Sequence, residues 1–263
     1  MNAHAGRRVI VHYHVFKNAG SSVDRALEDS FGSRWAKFDL DDSGAKISPV
    51  ELQAYLGSHP DLLAVSTHQA VPPIPADGPT ILPILYFRHP ITRAYSAYRF
   101  EWGRQIGIDA PRRTFEEYIS VKFKHPRANA VENFQVLHIA NRGLEARRPS
   151  QSLSDAQLLA NAKAFVDGLD FFGLVERFDE SMVRLNLYLR PYFPGFRGRI
   201  YRENVTSDLD IPLADQVRTI LDELSASMRG ALVARNALDL ELYAYVTDRF
   251  AHMGLKASSS AVA

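Results

Sequence analysis

Apolar residues dominate positions 9–16, with His12 and His14 set among them, and the run breaks into small polar residues at Asn18. This pattern predicts a buried strand over residues 9–15. Val23, Leu27 and Phe31 then recur at helical spacing, so a helix is expected over 22–31, ended by Gly32. Ser48-Pro49-Val50-Glu51 has the form of a capping box with proline at the first helical position, which predicts a helix to about Leu56. Short strands follow at 62–66 and 81–87. Pro83 cannot donate to a ladder, so the first half of the second strand is expected at an edge or a bulge. From Pro90 onward Ile91, Ala94, Tyr95, Tyr98 and Trp102 share one helical face.

Further helices are expected from Thr114-Phe115-Glu116-Glu117, over 130–140, over 154–167 and over 179–189. A last apolar strand is expected at 171–175. Residues 211–224 and 228–253 both carry the 3.6-residue period. Strands separated by helices predict an α/β protein with a parallel sheet covered on both faces. No repeat or linker divides the chain, so residues 1–253 are read as one domain and 254–263 as a disordered tail.

Composition narrows the class. The 263 residues are 46% hydrophobic and 23% charged, with net charge +1, so no bulk field favours nucleic acid or an acidic membrane. The absence of cysteine excludes a disulfide scaffold, a thiolate nucleophile and cysteine-bound zinc. No apolar run is long enough for a membrane helix, and the expectation is a soluble cytoplasmic protein.

Two stretches carry candidate chemistry. Lys17-Asn18-Ala19-Gly20-Ser21-Ser22 joins a predicted strand to a predicted helix. Backbone N–H groups at such a helix start, with the dipole behind them, attract anions. A plain strand–loop–helix turn with Ser22 as its N-cap accounts for the stretch equally well. The second stretch is "YFRHPITRAYSAYRF", which places Arg88 at a strand end and Ser96 two turns into the next helix. Arginine forks onto a phosphate, and open parallel sheets bind ligands at their strand ends. Two such strand ends in one sheet favour the anion site.

Together the two stretches resemble the nucleotide signature of sulfotransferases that use 3′-phosphoadenosine 5′-phosphosulfate (PAPS). His14-Val15-Phe16-Lys17-Asn18-Ala19-Gly20-Ser21-Ser22 is similar to that family's 5′-phosphosulfate loop. Arg88-His89-Pro90-Ile91-Thr92-Arg93-Ala94-Tyr95-Ser96-Ala97-Tyr98 is similar to its 3′-phosphate motif. Phe16 stands where proline is usual, and His89 where an acidic or amide residue is usual. The segments "NFQVLHIA", "FFGLVERFDESM" and "LDLELYAYV" resemble the carbohydrate-sulfating branch. Animal members of that branch usually carry a membrane anchor. This chain looks more like a bacterial soluble member.

The resemblance implies a P-loop-type three-layer α/β/α fold with a central, mostly parallel sheet and a helix-rich C-terminal part. It implies PAPS as donor, 3′,5′-ADP (PAP) as product and no metal. Lys17, Asn18, Ala19, Gly20, Ser21 and Ser22 would hold the phosphosulfate, with Lys17 also catalytic at the bridging oxygen. Arg88 and Ser96 would hold the 3′-phosphate. His68, between the two motifs, matches the general-base histidine of some carbohydrate sulfotransferases, whereas others use a glutamate. Here it can equally cap its strand and bond to backbone. Glu132 and Glu176 are reserve candidates, although an internal Glu176–Arg177 ion pair is expected.

The acceptor is expected to be a hydroxylated saccharide or glycoconjugate. Arg104, Arg112, Arg113, Lys122, Lys124 and Arg127 could line an anionic saccharide groove or form a solvated basic face. "YRENVTSD" could cover the adenosine end. The alternatives are a P-loop kinase or NTPase, disfavoured by the missing Gly-Lys-Ser/Thr, and a non-catalytic nucleotide-binding protein.

Overall fold

The computed structural model describes residues 6–103, 113–124, 130–140, 153–201 and 211–253. The tail, Arg104, Arg112, Arg127 and positions 202–208 of "YRENVTSD" lie outside them.

Five strands form one all-parallel sheet: β1 (Arg8–Tyr13), β2 (Trp35–Lys37), β3 (Ala64–Thr67), β4 (Thr80–Phe87) and β5 (Gly173–Leu174). Their order is β2-β3-β1-β4-β5. The chain leaves β1 toward one edge, returns through β3, and crosses to β4 on the other side. Strand alternation then decides which helices cover which face. Val9, Val11 and Tyr13 point into a core shared with α2 (Pro49–Ser58), α5 (Phe134–Ile139), α6 (Asp155–Asp167) and α10 (Ala237–His252). Ile10 points the other way, onto α1 (Gly20–Phe31) and α7 (Phe178–Leu189). The result is the expected three-layer α/β/α architecture. A third cluster joins α3 (Pro90–Gly103), α4 (Phe115–Lys124), α8 (Leu213–Asp222) and α9 (Ala226–Arg235).

Several boundaries have local causes. Ser48 caps α2 in the capping box read from the sequence, accepting from Glu51 N–H at 3.3 Å while Glu51 accepts from Ser48 N–H at 2.8 Å. Pro83 sits opposite Val11 within β4. Thr80 N–H donates to Arg7 O, on the β1 side, so by alternation position 83 faces the other side, and β5 pairs only with Tyr86 and Phe87. The missing N–H therefore faces an unpaired stretch of edge.

Three elements depart from the hydrophobic pattern. The short edge strand β2 carries no alternation signal of its own. α1 begins at Gly20 rather than Ser22, because Lys17 (φ 66°) and Ala19 (φ 61°) turn the chain early. The period over 228–253 is broken at Asn236, whose side-chain amide donates to Val131 O at 2.7 Å and Leu232 O at 2.9 Å. A helix therefore ends there and α10 starts afresh.

The helix expected over 130–140 is confined to α5. Its start is fixed by reciprocal capping with α10. Asn133 Oδ1 accepts from Leu238 N–H at 3.0 Å and Asp239 N–H at 3.1 Å. The buried Asp239 carboxylate accepts from Gln135 N–H at 3.0 Å and Val136 N–H at 2.8 Å. Each helix thus satisfies the other's orphan donors. This joint holds Gln135 rigidly beneath the strand ends.

Candidate functional site

The residues singled out from the sequence come together at the carboxyl ends of adjacent strands. Lys17 follows β1, His68 follows β3 and Arg88 follows β4. Because β1 lies between β3 and β4, the loop is flanked by the other two. This is the crevice at which open α/β sheets bind ligands.

The loop is bound to its neighbours from within. Arg88 is buried, and its Nη1 donates to Lys17 O at 3.1 Å while Nε donates to Thr92 Oγ1 at 3.3 Å. Ser96 is buried one turn beyond Thr92 on the same helix face. Asn18 donates through its amide to Tyr86 O at 2.6 Å and to Gln135 Oε1 at 2.8 Å. Gln135 also accepts from Arg88 N–H at 3.0 Å and donates to Arg88 O at 2.8 Å. The Asn18 amide hydrogens are therefore used in fastening the loop to the end of β4. Ser22 is buried in the first turn of α1, and Ser21 is exposed beside it. The Lys17 ammonium lies 4.3 Å from the centroid of the Phe100 ring. Phe16, in the place where proline is usual, packs edge-on against Phe100 and Phe134.

His68 is held by Asp39. Its Nδ1 lies 2.8 Å from Asp39 Oδ2, and its backbone N–H donates to Asp39 Oδ1 at 2.7 Å. A carboxylate only accepts, so the neutral ring carries its proton on Nδ1 and presents a lone pair at Nε2. Asp39 follows β2, so four strand ends contribute to the site. Burial pushes the Asp39 carboxyl upward, but its hydrogen bonds from His68 and Thr67 outweigh this and hold it below the usual range.

Beneath His68 lies a buried triad. Its ring sits 3.9 Å, centroid to centroid, from that of His14. His14 continues the β1 alternation on the α1 face, as does His12. There both meet Asp24 of α1: His12 Nδ1 is 2.8 Å from Oδ1, and His14 Nδ1 is 3.1 Å from Oδ2. Burial, opposed by the Asp24 hydrogen bond, lowers the His14 pKa to about 4, so the ring is neutral at pH 7. For Asp24, the hydrogen bonds from both histidines outweigh burial and keep the carboxyl below its usual range. These three side chains could bracket a cation, since their ligand atoms lie within 4.8 Å of one another. Their existing hydrogen bonds already occupy both carboxylate oxygens.

Gly20 completes the chain of contacts. A Cβ built on it would lie 1.9 Å from His14 Cδ2 and 2.0 Å from His14 Nε2. The imidazole thus packs on the bare Cα at the head of α1. Gly20→Ala is expected to displace His14 and destabilise the protein by about 1–3 kcal/mol. Urea melts of the two proteins check it, and equal midpoints at equal slope would contradict the packing.

No family model matches the chain. It is 33% identical over 260 residues to an uncharacterized protein of Archaeoglobus fulgidus, an alignment covering 93% of this chain and 98% of the archaeal one. The chain belongs to the family of that archaeal protein. Among its described residues no helix is long and apolar enough to cross a membrane.

In this family member one sequence expectation is revised. Glu176 does not pair with Arg177. It accepts from His89 N–H at 2.9 Å and Tyr243 Oη at 2.9 Å, fixing the entry to α3, and Arg177 pairs with Glu180 instead. Glu132 pairs with Arg235. Of the basic stretch after α3, Lys122 pairs with Glu101 and Arg113 lies over Trp102, so both serve local packing. Trp102 and Tyr98 pack against the α3–α4 core, as their spacing indicated. The sequence reading missed Asp24, Asp39 and Gln135. The i, i+2 spacing of His12 and His14 on a strand was the available signal for Asp24's partners.

Proposed function

We propose that the protein is a PAPS-dependent sulfotransferase, acting in the cytoplasm, that moves a sulfuryl group to an acceptor hydroxyl of a carbohydrate. The observation that supports it most is the convergence of the Lys17 loop, Arg88 and His68 on three adjacent strand ends, the loop tied to Arg88 at 3.1 Å and, through Gly20 and His14, stacked against His68.

In this reading the nucleotide lies across the strand ends. Its phosphosulfate meets the N–H groups at the start of α1, and its 3′-phosphate lies toward Arg88 and Ser96. The acceptor oxygen attacks sulfur in line. His68 Nε2 takes the acceptor proton as the new O–S bond forms. The S–O bond to the phosphate breaks, and 3′,5′-ADP leaves with the electron pair on its phosphate oxygen. Lys17 faces that oxygen, where negative charge grows. Asp39 holds the resulting imidazolium in place. Bringing acceptor and donor into line could supply up to ~7–11 kcal/mol.

The decisive measurement is thermal stability with 3′,5′-ADP and, separately, with ATP and Mg²⁺. A ligand that binds only the native state stabilises it by about 2.7 kcal/mol at 100 times its Kd. Stabilisation by 3′,5′-ADP, followed by transfer of labelled sulfate from PAPS to a saccharide panel, is the expected result. Stabilisation by ATP and Mg²⁺ alone would favour a kinase or NTPase.

A further inference from the structure

The His68 side chain is 42% exposed, and Asp39 grips only one edge of its ring. An imidazole held along one edge can still tilt. What lies against its face is His14, and the sheet itself builds that contact. Tyr13 stands opposite Thr67 in the parallel register of β1 and β3, and His14 N–H continues the ladder to Thr67 O at 2.8 Å. The next positions, His14 and His68, are therefore side by side. Their rings lie 3.9 Å apart, centroid to centroid, with 31° between the planes.

His14 is itself fixed along two edges. Nδ1 lies 3.1 Å from Asp24 Oδ2. The opposite edge, Cδ2–Nε2, rests on Gly20, where a Cβ would lie 1.9 Å from Cδ2. The His12 ring stacks on it at 5.1 Å and 18°, and holds the other Asp24 oxygen at 2.8 Å. An interior ring packed this closely shifts only when its neighbours shift. One of those neighbours is Gly20, the first residue of α1, where backbone N–H groups and the helix dipole attract an anion. One imidazole thus touches both the head of the anion-binding helix and the face of the candidate base.

We propose that His14 is a positioning residue that couples the donor site to His68. An anion at the head of α1 fixes Gly20, Gly20 fixes the His14 ring, and that ring sets the plane of His68. Loading of the donor then completes the base, and deprotonation of the acceptor waits on it. By linkage, whatever orders His68 also tightens the anion site. The naming of the anion as a sulfuryl donor rests on the sulfotransferase reading. The coupling of a bound anion to His68 does not.

The test follows the ring signals of His14 and His68 by NMR in the full-length protein as inorganic sulfate and, separately, 3′,5′-ADP are added. Two substitutions take the ring and its hydrogen bond apart. His14→Phe keeps a flat ring between Gly20 and His68 and gives up the bond to Asp24, which retains His12 and Lys37. His14→Gln keeps a polar group for Asp24 and gives up the ring. In wild type and in His14→Phe, both anions are expected to shift and sharpen the His68 ring signals. In His14→Gln the anions are expected to bind and leave His68 unmoved. The kcat of sulfuryl transfer should fall about tenfold in His14→Gln, the cost of a loosely placed base, with the KM for PAPS held and with His14→Phe recovering most of the rate. A wild-type His68 ring that ignores the bound anions overturns the coupling without recourse to any variant. A full His68 response in His14→Gln, or an undiminished kcat there, overturns it as well. If neither anion binds, the coupling falls together with the donor site. If sulfate moves His68 while 3′,5′-ADP does not bind, the coupling stands and the sulfotransferase reading falls.

Discussion

Lys17→Ala is expected to lower sulfuryl transfer from PAPS by roughly 100-fold to 1000-fold, the usual effect of removing one preorganised donor at a developing oxyanion. The loss should fall on kcat, with 3′,5′-ADP affinity changed far less. The backbone is not the reason. Lys17 has φ 66°, and alanine bears the same left-handed penalty as lysine, so the turn is equally strained in both proteins. The loop is also fastened by groups that the substitution leaves alone: Arg88 Nη1 binds the Lys17 carbonyl, and the Asn18 amide binds Tyr86 O and Gln135. The side chain does lose its place over Phe100, an attraction worth about 0.5–1 kcal/mol at an exposed site. That cost appears in the melting curve and can be subtracted. Lys17→Arg is expected to recover little, because a planar fork does not replace a compact ammonium. Transfer by Lys17→Ala at the wild-type rate would remove the mechanism.

What the sequence disclosed and what it withheld divide along a physical line. Period and punctuation are local, so the strands that flank the loop, the capping box at Ser48 and the helix from Pro90 could be read directly. The Lys17 and Arg88 clusters were legible because each is a strand end followed by a helix start, and His68 because it closes a short apolar strand ahead of a proline-rich loop. The residues that hold them in place are not local. Gln135 reaches Asn18 and Arg88 from 117 and 47 positions away, and Asp239 reaches α5 from 104 and 103 positions away. Asp39 follows a three-residue edge strand with no periodic signal, so the partner that orients His68 was invisible until β2 was placed beside β3. Asp24 looked like one acidic residue on an amphipathic helix. Only the side-by-side packing of β1 and α1 shows that it binds two histidines.

Three buried histidines, His14, His89 and His138, set the protein's response to acid, and the second large effect is expected there. Burial lowers the pKa of His14 and of His89 to about 4, and that of His138 to about 3. In the unfolded chain each returns to about 6.5. Between those limits the unfolded state binds protons that the folded state refuses, so stability falls as pH falls. The contribution is fully present above pH ~6.5 and is lost progressively toward pH ~4. A fall from about 6.5 to about 4 corresponds to about 3 kcal/mol for one such residue, a large part of a typical domain's stability. Asp24 acts in a different window. Its folded pKa is depressed, so its contribution is present above the ordinary carboxylate range and is lost only as pH falls below it. Urea melts from pH 7.5 to 4 should therefore show a steady loss that begins well before any carboxylate titrates. His138→Gln should flatten part of that slope, because it removes one buried proton acceptor while keeping a polar side chain in the same space. A wild-type stability that stays level from pH 7.5 to 5 would mean that these imidazoles take up protons in the folded state, and the dry, neutral surroundings assigned to His14 and His138 would have to be abandoned.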